Sequence, residues 1–143
     1  MAPTDSLWHR LVMDRDTILI VDDEPDVRIF LSTVLEDHGF RTLCAENGEH
    51  GLALARAEKP ALICLDVAMP HATGVKMYRV LRTDEALKKI PVVMVTGMPQ
   101  QFERFIKSRR TFPAPEGYVP KPFVPHAVLV LIQQILRERR SVN

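Results

Sequence analysis

At 143 residues, with 46% apolar and 26% charged residues, the chain has the makeup of one soluble globular domain that buries about 70% of its unfolded surface. A formal net charge of +1 argues against nucleic-acid binding through bulk charge, and no apolar run approaches the ~20 residues of a membrane helix. The first 16 residues hold no secretory apolar core, so a cytoplasmic protein is expected, with Cys44 and Cys64 as small buried hydrophobes in a reducing compartment.

After a tail over 1–16, one domain is expected over 17–140, with 141–143 as its C-terminal end. The first strand, 17–21, runs directly into Asp22 and Asp23. Pro25 suits the first position of a helix over 25–38, and Val27, Phe30, Leu31, Val34 and Leu35 form its inward face until Gly39 stops it. A second strand covers 40–45. Asn47 can cap a helix over 48–57, which Gly51 should weaken by about 1 kcal/mol relative to alanine.

The third strand, 61–65, ends at Asp66, and a helix follows over 74–82. The fourth strand, 91–95, ends at Thr96, and a fourth helix starts near Pro99 with Phe102, Phe105 and Ile106 on one face. Prolines and a glycine make 111–117 a loop. A short fifth strand around Tyr118 and Val119 precedes Lys121, and a fifth helix over 125–139 turns Val128, Leu131, Ile132 and Ile135 inward. Strand–helix alternation repeated five times implies right-handed crossovers and an open, doubly wound parallel α/β sheet.

In such sheets ligands gather at the carboxyl ends of the strands. Four strand ends therefore deliver three carboxylates (Asp22, Asp23, Asp66), the Thr96 hydroxyl and the Lys121 ammonium to one edge. Unit charges 4 Å apart at an effective dielectric near 20 interact by about 4 kcal/mol, so the carboxylates need a counter-ion. The all-oxygen donor set suits a hard cation such as Mg2+. A carboxylate can also be the nucleophile toward phosphorus, and Asp66, on the middle strand, is the natural one. Asp23, with Asp22 beside it, would hold the metal, Lys121 would balance phosphoryl charge, and Thr96 could bond a phosphoryl oxygen. Taken singly, an Asp after a strand is more often a cap or turn former. The joint occurrence on four strand ends carries the argument.

These residues resemble the receiver domain of bacterial two-component response regulators. The likeness rests on Asp22-Asp23, on Asp66 followed by Met69-Pro70 and Gly74, on Thr96-Gly97, and on Tyr118 three residues before Lys121-Pro122-Phe123. It implies a flavodoxin-like, five-stranded parallel sheet of strand order 2-1-3-4-5. It also implies that Asp66 accepts a phosphoryl group from a histidine kinase or phosphotransfer protein. Mg2+ would then bind through Asp23, Asp66 and the backbone carbonyl of Ala68, with Asp22 acting through water. Thr96 and Tyr118 would form a switch pair that changes the surface of the fourth helix, fifth strand and fifth helix, for a downstream protein or a second copy of the chain. The Lys121–Pro122 bond is expected cis. No direct contact with nucleic acid or membrane is implied.

The chain departs from the family pattern at two positions that tune phosphoryl lifetime, where apolar Ala68 and Met98 stand, so autodephosphorylation is expected to depend little on these side chains. Leu129 and Leu136 flank the core stripe of the fifth helix, with Val130 on the opposite side; the widened face hints at dimerisation or docking, though core packing alone explains most of it. Two alternatives stay open. An aspartyl-nucleophile phosphohydrolase usually carries a second Asp two residues on, where Ala68 stands, and a phosphorylation-independent scaffold has no need of the full acid, Thr and Lys set. A nucleotide-binding fold is poorer still, because no glycine-rich loop follows the first strand.

Overall fold

The computed structural model describes residues 16–97 and 113–142. Five strands, β1 (Thr17–Val21), β2 (Arg41–Ala45), β3 (Leu62–Leu65), β4 (Val92–Thr96) and β5 (Gly117–Pro120), form one sheet in the order β2-β1-β3-β4-β5. Every neighbouring pair is parallel. The expected strand order is the observed one, and β3 with its terminal Asp66 lies at the sheet's centre.

Successive strand residues point to opposite faces, and here both faces are covered. Leu19, Val21, Ile63, Leu65, Val92 and Met94 pack on one side against α2 (Gly48–Glu58) and α3 (Thr73–Thr83). Ile18, Ile20, Leu62, Cys64, Val93 and Val95 pack on the other against α1 (Pro25–Asp37) and the last described helix, α4 (Pro125–Val142). Burial on both faces explains why these strands read as continuous apolar runs rather than alternating ones. No described helix is long and apolar enough to cross a membrane.

The local punctuation follows the sequence. Pro25 opens α1, Gly39 sits at φ +92° just beyond its end, and the Asn47 side chain accepts the His50 N–H at 2.8 Å to cap α2. Gly51 has a packing role: a Cβ there would come within 2.8 Å of Met77 Sδ and 2.9 Å of Val21 Cγ2, so its absence lets α2 approach α3 and the sheet.

Two expectations, on Phe30 and Thr96, need correction. Phe30 is 58% exposed rather than inward. The buried stripe of α1 is Val27, Leu31 and Leu35, spaced by four, and Phe30 falls beside it toward the loop after β5. Leu129 and Leu136 are 1% and 7% exposed, so core packing accounts for them, as expected; Val130, at 47%, stays on the surface. Thr96 is the last residue of β4 rather than the residue after it. The tail before Asp16, Met98 and the helix expected from near Pro99 lie outside the described residues.

The end of the sheet away from Asp66 holds a polar network absent from the sequence reading. Arg82, near the end of α3, has a side chain 3% exposed. It donates to Tyr78 Oη at 3.0 Å, Ile90 O at 3.3 Å and Glu116 Oε1 at 2.8 Å. Tyr78 Oη donates to Pro113 O at 2.5 Å, and Glu116 Oε1 also accepts the Val92 N–H at 2.6 Å. Together they fix the entry to β5 against α3 and the start of β4.

Candidate functional site

Two aspartates end adjacent strands in the same way. The Asp22 N–H donates to Ala45 O at 3.1 Å and the Asp66 N–H to Val21 O at 3.0 Å, so each backbone is still held by the sheet one residue beyond its strand. Each side chain then turns back on the chain. Asp22 Oδ1 accepts the Glu24 N–H at 2.9 Å, and Asp66 Oδ1 accepts the Ala68 N–H at 2.8 Å, the bond two residues on that Asp favours after a strand. One oxygen of each carboxylate is thereby fixed, and the other, Oδ2, is aimed at a common point.

Lys121 occupies that point. Its N–H donates to Thr96 O at 3.0 Å, which extends the β4–β5 pairing and anchors the residue, and the Lys121–Pro122 bond is cis. Its ammonium lies 2.9 Å from Asp22 Oδ2, 3.1 Å from Asp66 Oδ2 and 2.8 Å from Glu24 Oε1. Carboxylate oxygens of Asp22, Asp23, Glu24 and Asp66 all fall within 4.8 Å of one another. Three of these four carboxyl groups pair with one ammonium.

Burial is the largest influence on both ends of this cluster. It lifts the Asp22 carboxyl above its ordinary range, despite hydrogen bonds from Lys121 and the Glu24 N–H, and neighbouring Asp66 adds to the rise. It would lower the Lys121 ammonium, but the bonds to Glu24, Asp22 and Asp66 outweigh it and raise that pKa. The donor set is oxygen throughout and carries more negative charge than one lysine balances. It fits a hard divalent cation held by Asp22, Asp23 and Asp66.

The remaining expected residues are close by. Thr96 is fully buried at the end of β4, the strand next to β3. Tyr118 pairs with Met94 two positions down β5 and is half-buried against the core on the α2 and α3 side. Ala68 is exposed in the loop after Asp66, where α3 comes close: a Cβ on Gly74 would lie 2.3 Å from Asp66 O. Glu24 is the functional candidate that the sequence reading missed. Its signal was the unbroken acidic run Asp22-Asp23-Glu24 before Pro25. Beside it opens a cavity of about 580 Å³ whose walls include Glu24, Asp26, Val27, Phe30, Lys121 and Phe123.

A parallel 2-1-3-4-5 sheet with an acidic cleft and a lysine at its carboxyl edge defines the CheY-like class of α/β proteins. The chain belongs to the response regulator receiver domain family, whose model matches residues 18–133. Protein PilH of Pseudomonas aeruginosa is 38% identical over 119 residues, which cover 83% of this chain and 96% of PilH. The phosphate regulon transcriptional regulatory protein PhoB of the same species is 34% identical over 85% of this chain, but the match spans only 52% of PhoB. Among solved structures, the chemotaxis response regulator CheY4 of Vibrio cholerae superposes with a TM-score of 0.73 at 27% identity, covering 85% of this chain and 98% of CheY4. The chain is therefore a two-component receiver domain, a signalling module.

Proposed function

We propose that this domain accepts one phosphoryl group on Asp66 from a phosphohistidine donor, a histidine kinase or a phosphotransfer protein, and signals through the surface around β5 and α4. The carrying observation is the convergence of Asp66 Oδ2, Asp22 Oδ2 and Lys121 Nζ, with the other oxygen of each aspartate fixed by a backbone N–H.

The Oδ2 of Asp66, the oxygen left toward Lys121, attacks phosphorus. A P–O bond forms, the donor's P–N bond breaks, and its electron pair stays on the imidazole, which takes a proton from solvent. Lys121 follows the charge onto the phosphoryl oxygens as a point cation. Asp22, Asp23, Asp66 and the Ala68 carbonyl are the groups that would hold Mg2+, which when bound supplies positive charge to the carboxylates and the transferring phosphoryl. Thr96 ends the neighbouring strand and can donate its hydroxyl to a phosphoryl oxygen. Movement of the loop after β4 would then make room for Tyr118. Shifting a two-state equilibrium from 1:99 to 99:1 takes about 5.5 kcal/mol, within reach of charge-assisted bonds plus one aromatic burial. The signalling surface would meet a downstream protein or a second copy of the chain.

Intact mass after incubation with Mg2+ and phosphoramidate tests the reading. One added phosphoryl group is expected in the wild type and none in Asp66→Asn or after chelation of the metal. A wild type that gains no mass, or an Asp66→Asn variant that gains as much, would sink it.

A further inference from the structure

The Lys121 ammonium has three N–H donors, and three carboxylates take them: Glu24 at 2.8 Å, Asp22 at 2.9 Å and Asp66 at 3.1 Å. No donor is spare for an arriving anion, so binding one means giving up a partner. The three partners are not equivalent. Asp22 and Asp66 have side chains 3% exposed and are locked through their second oxygens by the Glu24 and Ala68 N–H groups. The Glu24 side chain is 57% exposed, and its bond to Lys121 is its one hydrogen bond among the described residues. Water can solvate a released Glu24, which makes it the cheapest of the three contacts to break.

We propose that Glu24 is a positioning residue that holds the third donor of Lys121 at the mouth of the cleft until a phosphoryl group displaces it. It thereby lowers the domain's affinity for that group. The inference rests on the phosphoacceptor reading above and adds to it a residue that sets how readily the modified state forms.

Beryllofluoride, a phosphoryl mimic, can be titrated in excess Mg2+ and read by fluorine NMR. Glu24→Gln should bind it roughly two- to fivefold more tightly than wild type, the range of one exposed ion pair. Asp26→Asn removes the same charge from the wall of the same cavity without touching Lys121, and should change affinity by less. Lys121→Arg carries five donors instead of three, so the gain from Glu24→Gln should shrink toward none in that background.

Equal gains in Glu24→Gln and Asp26→Asn would reduce the effect to bulk charge and overturn the proposal. So would no gain in Glu24→Gln, or a gain that persists undiminished in Lys121→Arg. A tenfold loss of Mg2+ affinity in Glu24→Gln would make Glu24 a metal ligand, which also overturns it. Failure of the wild type itself to bind beryllofluoride would instead defeat the phosphoacceptor reading.

Discussion

The buried carboxylates of the cleft depend on one shared ammonium. Asp22 and Asp66 are nearly inaccessible, and Lys121 is their shared cation. Removing one partner of a buried charge pair is costly because the remaining charge stays desolvated. Lys121→Met should therefore lose about 2 kcal/mol in metal-free buffer, roughly 5–8 °C in melting temperature for a domain of this size. Added Mg2+ should restore part of the loss, because it supplies another counter-charge to the same oxygens. Melting curves followed by circular dichroism with and without Mg2+ check this, and an unchanged or higher melting temperature without metal would contradict it. At this scale, Asp22, Asp23, Asp66, Thr96 and Lys121 were legible because parallel strands end at a single edge. For Glu24 the acidic run marked its place at the edge, but nothing in the sequence reveals its contact with a residue 97 positions away.

Among the elements, α3 links the two ends of the molecule. Its start rests on the Asp66 backbone through Gly74, and Arg82 near its end ties it to Ile90, Glu116 and, through Tyr78, Pro113. Arg82→Met should cost about 3 kcal/mol, because Glu116 loses its buried partner and the carbonyls lose a donor. Arg82→Lys should recover little, since a point cation cannot reproduce a planar fork that reaches Tyr78, Ile90 and Glu116 at once. Urea unfolding measures both, and a loss below about 1 kcal/mol in Arg82→Met would show a network already solvated. The extents of α1 and α2 were readable to within a residue at each end because Pro25, Gly39 and Asn47 are local signals. The Arg82 network was not readable, because in sequence Arg82 is one more cation in a helix's last turn, and its partners come from distant segments. Phe30 misled for a related reason: helical period marks a face but not where that face ends.

For the whole molecule, alternation of strands and helices announced a parallel sheet with two covered faces, whereas the strand order came only with the family resemblance. The two cores meet across β3, and Cys64 reports on their joint opening. It is 1% exposed, and burial pushes its thiol up to about 12. Because β3 is paired on both sides, with β1 and β4, reaching Cys64 requires the sheet to part at its centre and one core to open. Cys44 lies half-buried on the edge strand β2, where opening is local. Disulfide-exchange labelling at neutral pH should therefore modify Cys44 first. Cys64 should react at least about 10³-fold more slowly, as expected if its exposure follows global unfolding at a stability of 5 kcal/mol or more. Arg82→Met should then accelerate Cys64 by the factor that its stability loss dictates, about 100-fold for 3 kcal/mol, and leave Cys44 almost unchanged. Equal rates at the two thiols, or a Cys64 rate indifferent to Arg82, would mean that the centre of the sheet opens without the rest.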